Sequence, residues 1–229
     1  FIKSNYDFKK LLALIANSAT YQQSSSPQSD LAMAEKYFAV YKIRRLDAEV
    51  IADMVSHFSK RPPEYVSVIP EPFTYVPKDN LSISLNDASI TSAFLELFGR
   101  SPRDNGFLLE RSNMPTYAQK LYFLNSSEIQ EHVCSSPLLR DLAKDTGLKP
   151  KPFIEGIYLL YLSRPPTVKE LKEISNHFKD DLDGLLKNSE ELKKKKNDKI
   201  RAESLKKIIY LARNIVWILV NSEEFIYKH

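Results

Sequence analysis

The segment LKKIIYLARNIVWILV, residues 205–220, decides the fold class that the sequence predicts. Apolar residues recur at helical spacing along one side of it: Leu205, Ile208, Ile209, Ala212, Ile215, Val216 and Leu219. Leu211, Trp217 and Ile218 fill much of the opposite side. A helix that is apolar nearly all round is typical of the middle of a helical bundle. Arg213 and Asn214 interrupt the segment, and it is too short to span a bilayer, which needs about 20 apolar residues.

Amphipathic patterns and start signals predict further helices on both sides of this segment. Asp7 is the predicted N-cap of the first helix, Asp87 or Ser89 is that of the helix over 87–98, and Thr116 and Thr167 each begin a predicted capping box. Helices are predicted over 6–19, 31–40, 44–58, 87–98, from 116, from 127, and over 137–145, 153–162, 167–178, 180–199 and 205–220. The predicted fold class is therefore all-α, an irregular multi-helix bundle of about eight to ten helices.

A proline-rich stretch interrupts the helical pattern between Lys60 and Asn86. Its five prolines forbid a long helix, yet its many apolar residues are too hydrophobic for a free linker. We expect an extended excursion with a short pair of strands that lies on the helical body. No convincing linker is found elsewhere, so the sequence predicts a single domain over residues 1–229 with a Pro-rich insertion at about 60–86.

The net charge of +4 is unevenly distributed along the sequence. Residues 187–207 carry nine Lys or Arg against four acids, while the remaining residues carry 24 basic and 25 acidic side chains. The run Lys193 to Lys196 lacks the interleaved aromatic residues of a nucleic-acid site, so a solvated face is favoured. The sequence therefore predicts no nucleic-acid partner. No transmembrane segment is predicted either.

The most unusual stretch is FGRSPRDNGFLLERSNMPTYAQKLYFLN, residues 98–125, which places charges, prolines and a glycine between two apolar helical runs. Five of its charged residues and one arginine at the start of the predicted helix 44–58 form the candidate ligand-binding set: Arg100, Arg103, Asp104, Glu110, Arg111 and Arg45. Guanidinium groups suit sulfate and carboxylate ligands, so these residues could bind an anion or a sugar. The favoured interpretation is instead a network of ion pairs that fixes an irregular loop to the core.

Other catalytic chemistries find little support in the residues. Cys134 and His132 are two apart and would point to different faces of a helix, and the five glycines form neither GxSxG nor a phosphate-binding loop. The four histidines share no metal-ligand spacing, so no metal site and no cofactor are predicted. A pair of carboxylates for glycoside hydrolysis, drawn from Asp104, Glu110 and Asp47, stays open because spatial separation defines such a pair.

Five ordered motifs resemble one family: SATYQQSS (18–25), RRLDAEVIADM (44–54), FGRSPRDNGFLLERSNMPTYAQKLYFLNSSEIQ (98–130), YLSRPPTVKEL (161–171) and VNSEEFIYKH (220–229). They are similar to the C-terminal domain of large planctomycete-type secreted proteins, domain of unknown function family 1553. The resemblance implies a bacterial, exported multidomain protein. It also implies an upstream companion domain and sometimes a cytochrome c-like module, for which these residues contain no CxxCH motif.

Two functions follow as expectations. The first is a non-catalytic C-terminal domain with a structural or binding role at the cell surface, whose partners are upstream domains of the same polypeptide. Phe1 in place of Met agrees with a fragment of a longer protein. The alternative is a carbohydrate-processing, enzyme-associated domain that binds anionic and possibly sulfated polysaccharide, with Arg100, Arg103 and Arg111 as anion ligands and Asp104 or Glu110 as acid-base groups.

Overall fold

A computed structural model describes residues 1–26, 30–85, 89–101, 111–194 and 198–228, without the side chains of 189–194 and 228. The described residues form ten α-helices and only four two-residue strands, which confirms the all-α prediction. The chain divides into two compact units, a smaller unit of Phe1–Arg45 with Tyr227–His229 and a larger unit of Leu46–Ile226. The single domain over 1–229 stays a prediction.

The smaller unit contains two short helices and a two-stranded ladder. A 3-10 turn at Ile2–Ser4 precedes α1 (Phe8–Ala16), and α2 (Leu31–Lys36) and β1 (Arg44–Arg45) follow. Strand β1 pairs antiparallel with β4 (Tyr227–Lys228). The Asp7 side chain accepts a hydrogen bond from the Lys10 amide at 3.1 Å, so the predicted N-cap is confirmed. The prediction that a helix begins at 44 is wrong, because β4 supplies ladder partners for both arginines.

The larger unit contains the other eight α-helices. In chain order these elements are α3 (Ala48–Ser59), β2 (Val66–Ser67), β3 (Ile90–Thr91), α4 (Ala93–Leu97), α5 (Tyr117–Asn125), a π-helical turn (Ile129–Val133), α6 (Pro137–Asp145), α7 (Pro150–Leu162), α8 (Val168–His177), α9 (Lys179–Lys194) and α10 (Asp198–Val220). A 3-10 turn at Glu223–Ile226 ends the unit.

Helix α10 lies at the centre of the larger unit, where it packs on α6, α7 and α9. Five of the seven residues of the predicted stripe are buried, as are Ser204, Leu211 and Val220, while Leu205 and Ile209 are half-buried. The opposite side is only partly covered, because Trp217 and Ile218 are 39% and 52% exposed. The sequence therefore located the core helix correctly and overestimated how completely it is enclosed.

Several helix boundaries differ from the predicted ones for local reasons. Helix α7 begins at Pro150, since proline in the first turn loses no intrahelical hydrogen bond. Helix α4 is capped by Ser92, whose hydroxyl accepts from the Leu95 amide at 3.2 Å, and not by Ser89. The alternative predicted cap, Asp87, lies outside the described residues. The capping boxes of Thr116 and Thr167 are both present as predicted.

The proline-rich segment is held on the larger unit by hydrogen bonds to α3. Strand β2 pairs antiparallel with β3, so a short strand pair is present, but its second strand, at 90–91, lies outside the proline-rich stretch in a range predicted to be helical. The Asp53 carboxylate accepts from the amides of Ser82 and Ile83 at 2.6 and 3.1 Å. The Tyr65 hydroxyl donates to the Asn80 carbonyl at 2.8 Å. These bonds give two backbone amides and one backbone carbonyl of the segment the partners that a helix would have provided.

Within the described ranges, no helix combines the length and the hydrophobicity that a bilayer crossing requires.

We expect Gly99→Ala to destabilise the protein far more than Gly147→Ala. Both glycines have left-handed backbones, with φ of 78° and 61°, which costs an alanine about 1–2 kcal/mol. A Cβ on Gly99 would also lie 2.0 Å from the Ser112 carbonyl oxygen, whereas one on Gly147 meets no atom within 4 Å. Urea unfolding should give a loss of roughly 3 kcal/mol or more for Gly99→Ala. Equal losses for the two variants would contradict the close backbone approach at Gly99.

Candidate functional site

Three charged residues of the larger unit converge at the first turn of α3, and we call them the Glu49 cluster: Glu49, Arg100 and Arg111. Arg111 donates from Nη1 to Glu49 Oε2 at 2.6 Å and from Nη2 to Oε1 at 2.7 Å. Arg100 Nε lies 3.3 Å from the same Oε1. The side chains of Glu49 and Arg100 are each only 7% exposed. One buried carboxylate therefore binds two guanidinium groups.

The backbone around Arg100 explains how the cluster forms. Gly99 adopts a left-handed conformation after α4, and the Arg100 amide then bonds to the Leu95 carbonyl at 2.9 Å, a common way to end a helix. The Ser112 amide donates to the Gly99 carbonyl at 3.1 Å, which brings the two sides of the intervening stretch together. Arg100 also donates to the carbonyl of Ile90. The positions of Arg100 and Arg111 follow from these backbone hydrogen bonds.

The electrostatics of the cluster favour the charged forms. Burial by itself raises the pKa of Glu49, but the hydrogen bond from Arg111, the Glu49 backbone amide and the two guanidinium charges outweigh burial and lower it. The Glu49 carboxylate in turn raises the pKa of Arg111, with a smaller contribution from Asp47. Asp47 also accepts from Asn113 Nδ2 at 2.9 Å. The arrangement holds both sides of the stretch against α3.

Two of the predicted site residues, Arg100 and Arg111, pair with the same carboxylate. Arg45 lies in β1 of the smaller unit and is 4% exposed. Arg103, Asp104 and Glu110 lie outside the described residues. Glu49, the carboxylate that Arg100 and Arg111 share, is not among the six predicted residues. The ligand-binding role of these residues stays a prediction.

A second charged group, which sequence reasoning did not identify as a site, surrounds Arg164. Arg164 Nη2 donates to Glu224 Oε2 at 2.7 Å and to Glu170 Oε1 at 2.8 Å. Its guanidinium carbon lies 5.6 Å from the ring centroid of Tyr158. Glu170 is also the capping-box residue of α8 and accepts from the Thr167 amide at 2.7 Å. We call these residues the Arg164 network.

The Glu49 cluster and the Arg164 network share one local backbone arrangement. Arg100 follows Gly99, and Arg164 follows Ser163, whose φ of 56° is also left-handed. Each arginine thus comes directly after the residue that ends a helix and pairs with a carboxylate distant in sequence. The sequence echo between Arg100-Ser-Pro and Arg164-Pro-Pro was the available signal. It indicates a rigid corner that projects a guanidinium group.

The Cys134 thiol is poorly suited to nucleophilic chemistry. It is 1% exposed, and burial raises its pKa to about 11, against a smaller opposing effect of Arg213. At neutral pH the thiol is protonated, and a nucleophile requires the thiolate. His132 lies in the π-helical turn, and no hydrogen bond joins the two side chains. Among the residues described, no group of three or more His, Cys, Asp or Glu could hold a metal ion.

We expect Glu49→Ala to destabilise the protein strongly, because it leaves the Arg100 guanidinium buried without its carboxylate. The expected loss in urea unfolding is roughly 3 kcal/mol, at the lower end for one partner of a buried pair. Asp141→Ala is the matched control, since its pair with Lys144 is 67% and 61% exposed and contributes well under about 1 kcal/mol. A loss for Glu49→Ala no larger than that of the control would contradict a structural role for the cluster.

The Arg164 network predicts a pH-dependent contribution to stability. The hydrogen bond from Arg164 lowers the pKa of Glu170 from 4.5 to about 2. A lowered folded-state pKa stabilises the fold above the unfolded value and loses this effect as pH falls through the folded value. The stability difference between wild type and Glu170→Gln should therefore be full above pH about 4.5 and vanish towards about 2. Glu173→Gln, at an exposed pair with Lys169, is the control and should show no such trend.

Comparisons with known proteins identify the family. No curated protein matches the chain, and no solved structure matches it. The family model described as "PSD1: Protein of unknown function (DUF1553)" matches residues 1–178 and thus includes the Glu49 cluster, while α9, α10 and Glu224 lie beyond it. Because the match spans well over half of the chain, the protein belongs to the DUF1553 family of proteins of unknown function.

Proposed function

We propose that this chain is a non-catalytic C-terminal domain of an exported bacterial multidomain protein, and that it serves in assembly at the cell surface by docking on upstream domains of the same polypeptide. The observation that carries the assembly role is the apolar face of α1. Phe8, Leu12 and Ile15 lie on one side of this helix and are 62%, 52% and 46% exposed. Export and a bacterial source rest on the motif resemblance to planctomycete-type secreted proteins.

The exposed apolar surface of α1 continues into the residues before it. Ile2 is 75% exposed, and Phe1 and Tyr6, whose rings meet edge to face at 5.5 Å, are 55% and 63% exposed. Several exposed apolar side chains this close together in the sequence are typical of an interaction site. Covering the exposed parts of the three α1 side chains would contribute roughly 3 kcal/mol. That gain supports docking on a partner.

The Glu49 cluster supports the non-catalytic part of the proposal. The guanidinium groups of Arg100 and Arg111 are occupied by Glu49, and Arg111 uses two donors in a bidentate pair. A ligand anion would have to compete with this carboxylate, whose low pKa keeps it charged. The cluster is therefore interpreted as an ion-pair network that fixes Arg100 and Arg111 against α3.

Hydrogen exchange of α1 tests the proposed assembly. In the parent polypeptide, the α1 amides should exchange at least about tenfold more slowly than in this chain alone, because docking suppresses local opening. Leu12→Asp in the parent should remove that protection. Leu159→Asp is the matched control, since Leu159 lies on α7 with 53% exposure, close to the 52% of Leu12. Equal exchange of α1 in the two contexts would overturn the assembly role.

A second candidate function is binding of anionic carbohydrate, and a different feature favours it. The residues first predicted for this role are paired or lie outside the described ranges. The smaller unit, however, contains a cleft of about 640 Å³ lined by tyrosines and cations. This volume falls in the usual range of small-molecule sites.

A further inference from the structure

The cleft in the smaller unit is lined by Ile15 near the end of α1, by Glu35 of α2 and by the two segments that follow these helices. The segment after α1 contributes Ser18, Tyr21 and Gln23, which belong to the motif SATYQQSS. The segment after α2 contributes Tyr41, Lys42 and Arg44. All lining residues lie within the smaller unit.

Hydrogen bonds within the motif give the cleft its shape. The Ser18 hydroxyl accepts from the Tyr21 amide at 3.2 Å, and Gln22 Nε2 donates to the last carbonyl of α1, that of Ala16, at 2.7 Å. The Tyr41 amide donates to the Ser24 carbonyl at 3.1 Å and so joins the two segments. The rings of Tyr21 and Tyr41 lie 6.1 Å apart at an angle of 64°. The two rings therefore pack against each other edge to face.

The charge of the cleft favours an anionic ligand. Lys42 and Arg44 face one acid, Glu35, whose carboxylate lies 3.9 Å from Lys42 Nζ in an exposed and therefore weak pair. The smaller unit as a whole has eight Lys or Arg against three Asp or Glu, while the larger unit has 25 against 26. Excess positive charge around a cleft raises the local concentration of anions.

We propose that this cleft binds an acidic oligosaccharide. The tyrosine rings offer apolar faces to the C–H faces of sugar rings, and the Gln23 amide can bond to sugar hydroxyls. Lys42 and Arg44 bind the carboxylate or sulfate group, for which the planar guanidinium is well matched. An inorganic anion alone would fill little of about 640 Å³ and would leave the tyrosines unused. This inference rests on the second candidate function.

Isothermal titration with defined probes tests the inference. Trigalacturonate and sulfated cellotriose represent the two sources of negative charge, and cellotriose is the neutral counterpart. Lys42→Gln and Arg44→Gln should each weaken acidic-probe binding roughly tenfold, as expected for loss of one charge-assisted contact. Both side chains are exposed, so the fold should persist, and far-ultraviolet circular dichroism checks this. Lys36→Gln, an exposed lysine of α2 outside the cleft lining, is the matched control and should leave the affinity unchanged.

Each outcome has a distinct meaning. Binding of acidic probes that is weakened by the cleft variants and not by Lys36→Gln supports the inference. No binding of any saccharide overturns both the carbohydrate function and the cleft site. Binding that the cleft variants leave intact overturns the cleft site alone. Equal binding of inorganic sulfate at matched ionic strength, or tighter binding of oligothymidylate, overturns the saccharide as the ligand class.

Discussion

The buried carboxylate of Glu49 is the interaction on which the arrangement of the larger unit depends most. From the first turn of α3, it pairs with the guanidinium groups of both Arg100 and Arg111. A carboxylate is favoured near a helix N-terminus, where the backbone carries partial positive charge. Removing water from three charges is costly, so this geometry persists only because each charge retains a partner.

Aromatic contacts connect this charged cluster to the apolar core. Phe98, which precedes the left-handed Gly99, packs against Phe123 with ring centroids 5.6 Å apart. Phe123 packs against Phe225 at 5.9 Å, and Phe225 lies 6.1 Å from Phe58 of α3. Phe225 follows Glu224, the partner of Arg164. These ring contacts connect the Glu49 cluster to the Arg164 network. A mainly structural role for both groups agrees with this connection.

The two units differ in net charge and in how far their helices are buried. The larger unit buries α10 and its neighbours and is nearly neutral, with 25 basic and 26 acidic residues. The smaller unit is basic, and α1 has no fully buried residue. The sequence analysis located the excess positive charge only at residues 187–207. A count along the chain combined the positive excess of the smaller unit with the negative excess of the rest of the larger unit, so the two cancelled. Both proposed interactions, docking through α1 and ligand binding in the cleft, therefore belong to the smaller unit.

The sequence by itself determined the features that depend on neighbours along the chain. Helical periodicity located α10, and the chemistry of Asp7, Thr116 and Thr167 predicted their caps, because both signals act within about one turn. Only the tertiary structure decided that Arg44 and Arg45 form a strand with residues 227–228, and that Arg100 and Arg111 share Glu49 while Arg164 binds Glu224. These partners lie tens to nearly two hundred residues apart, and the free energy of burying a charge depends on where the chain brings its counterion.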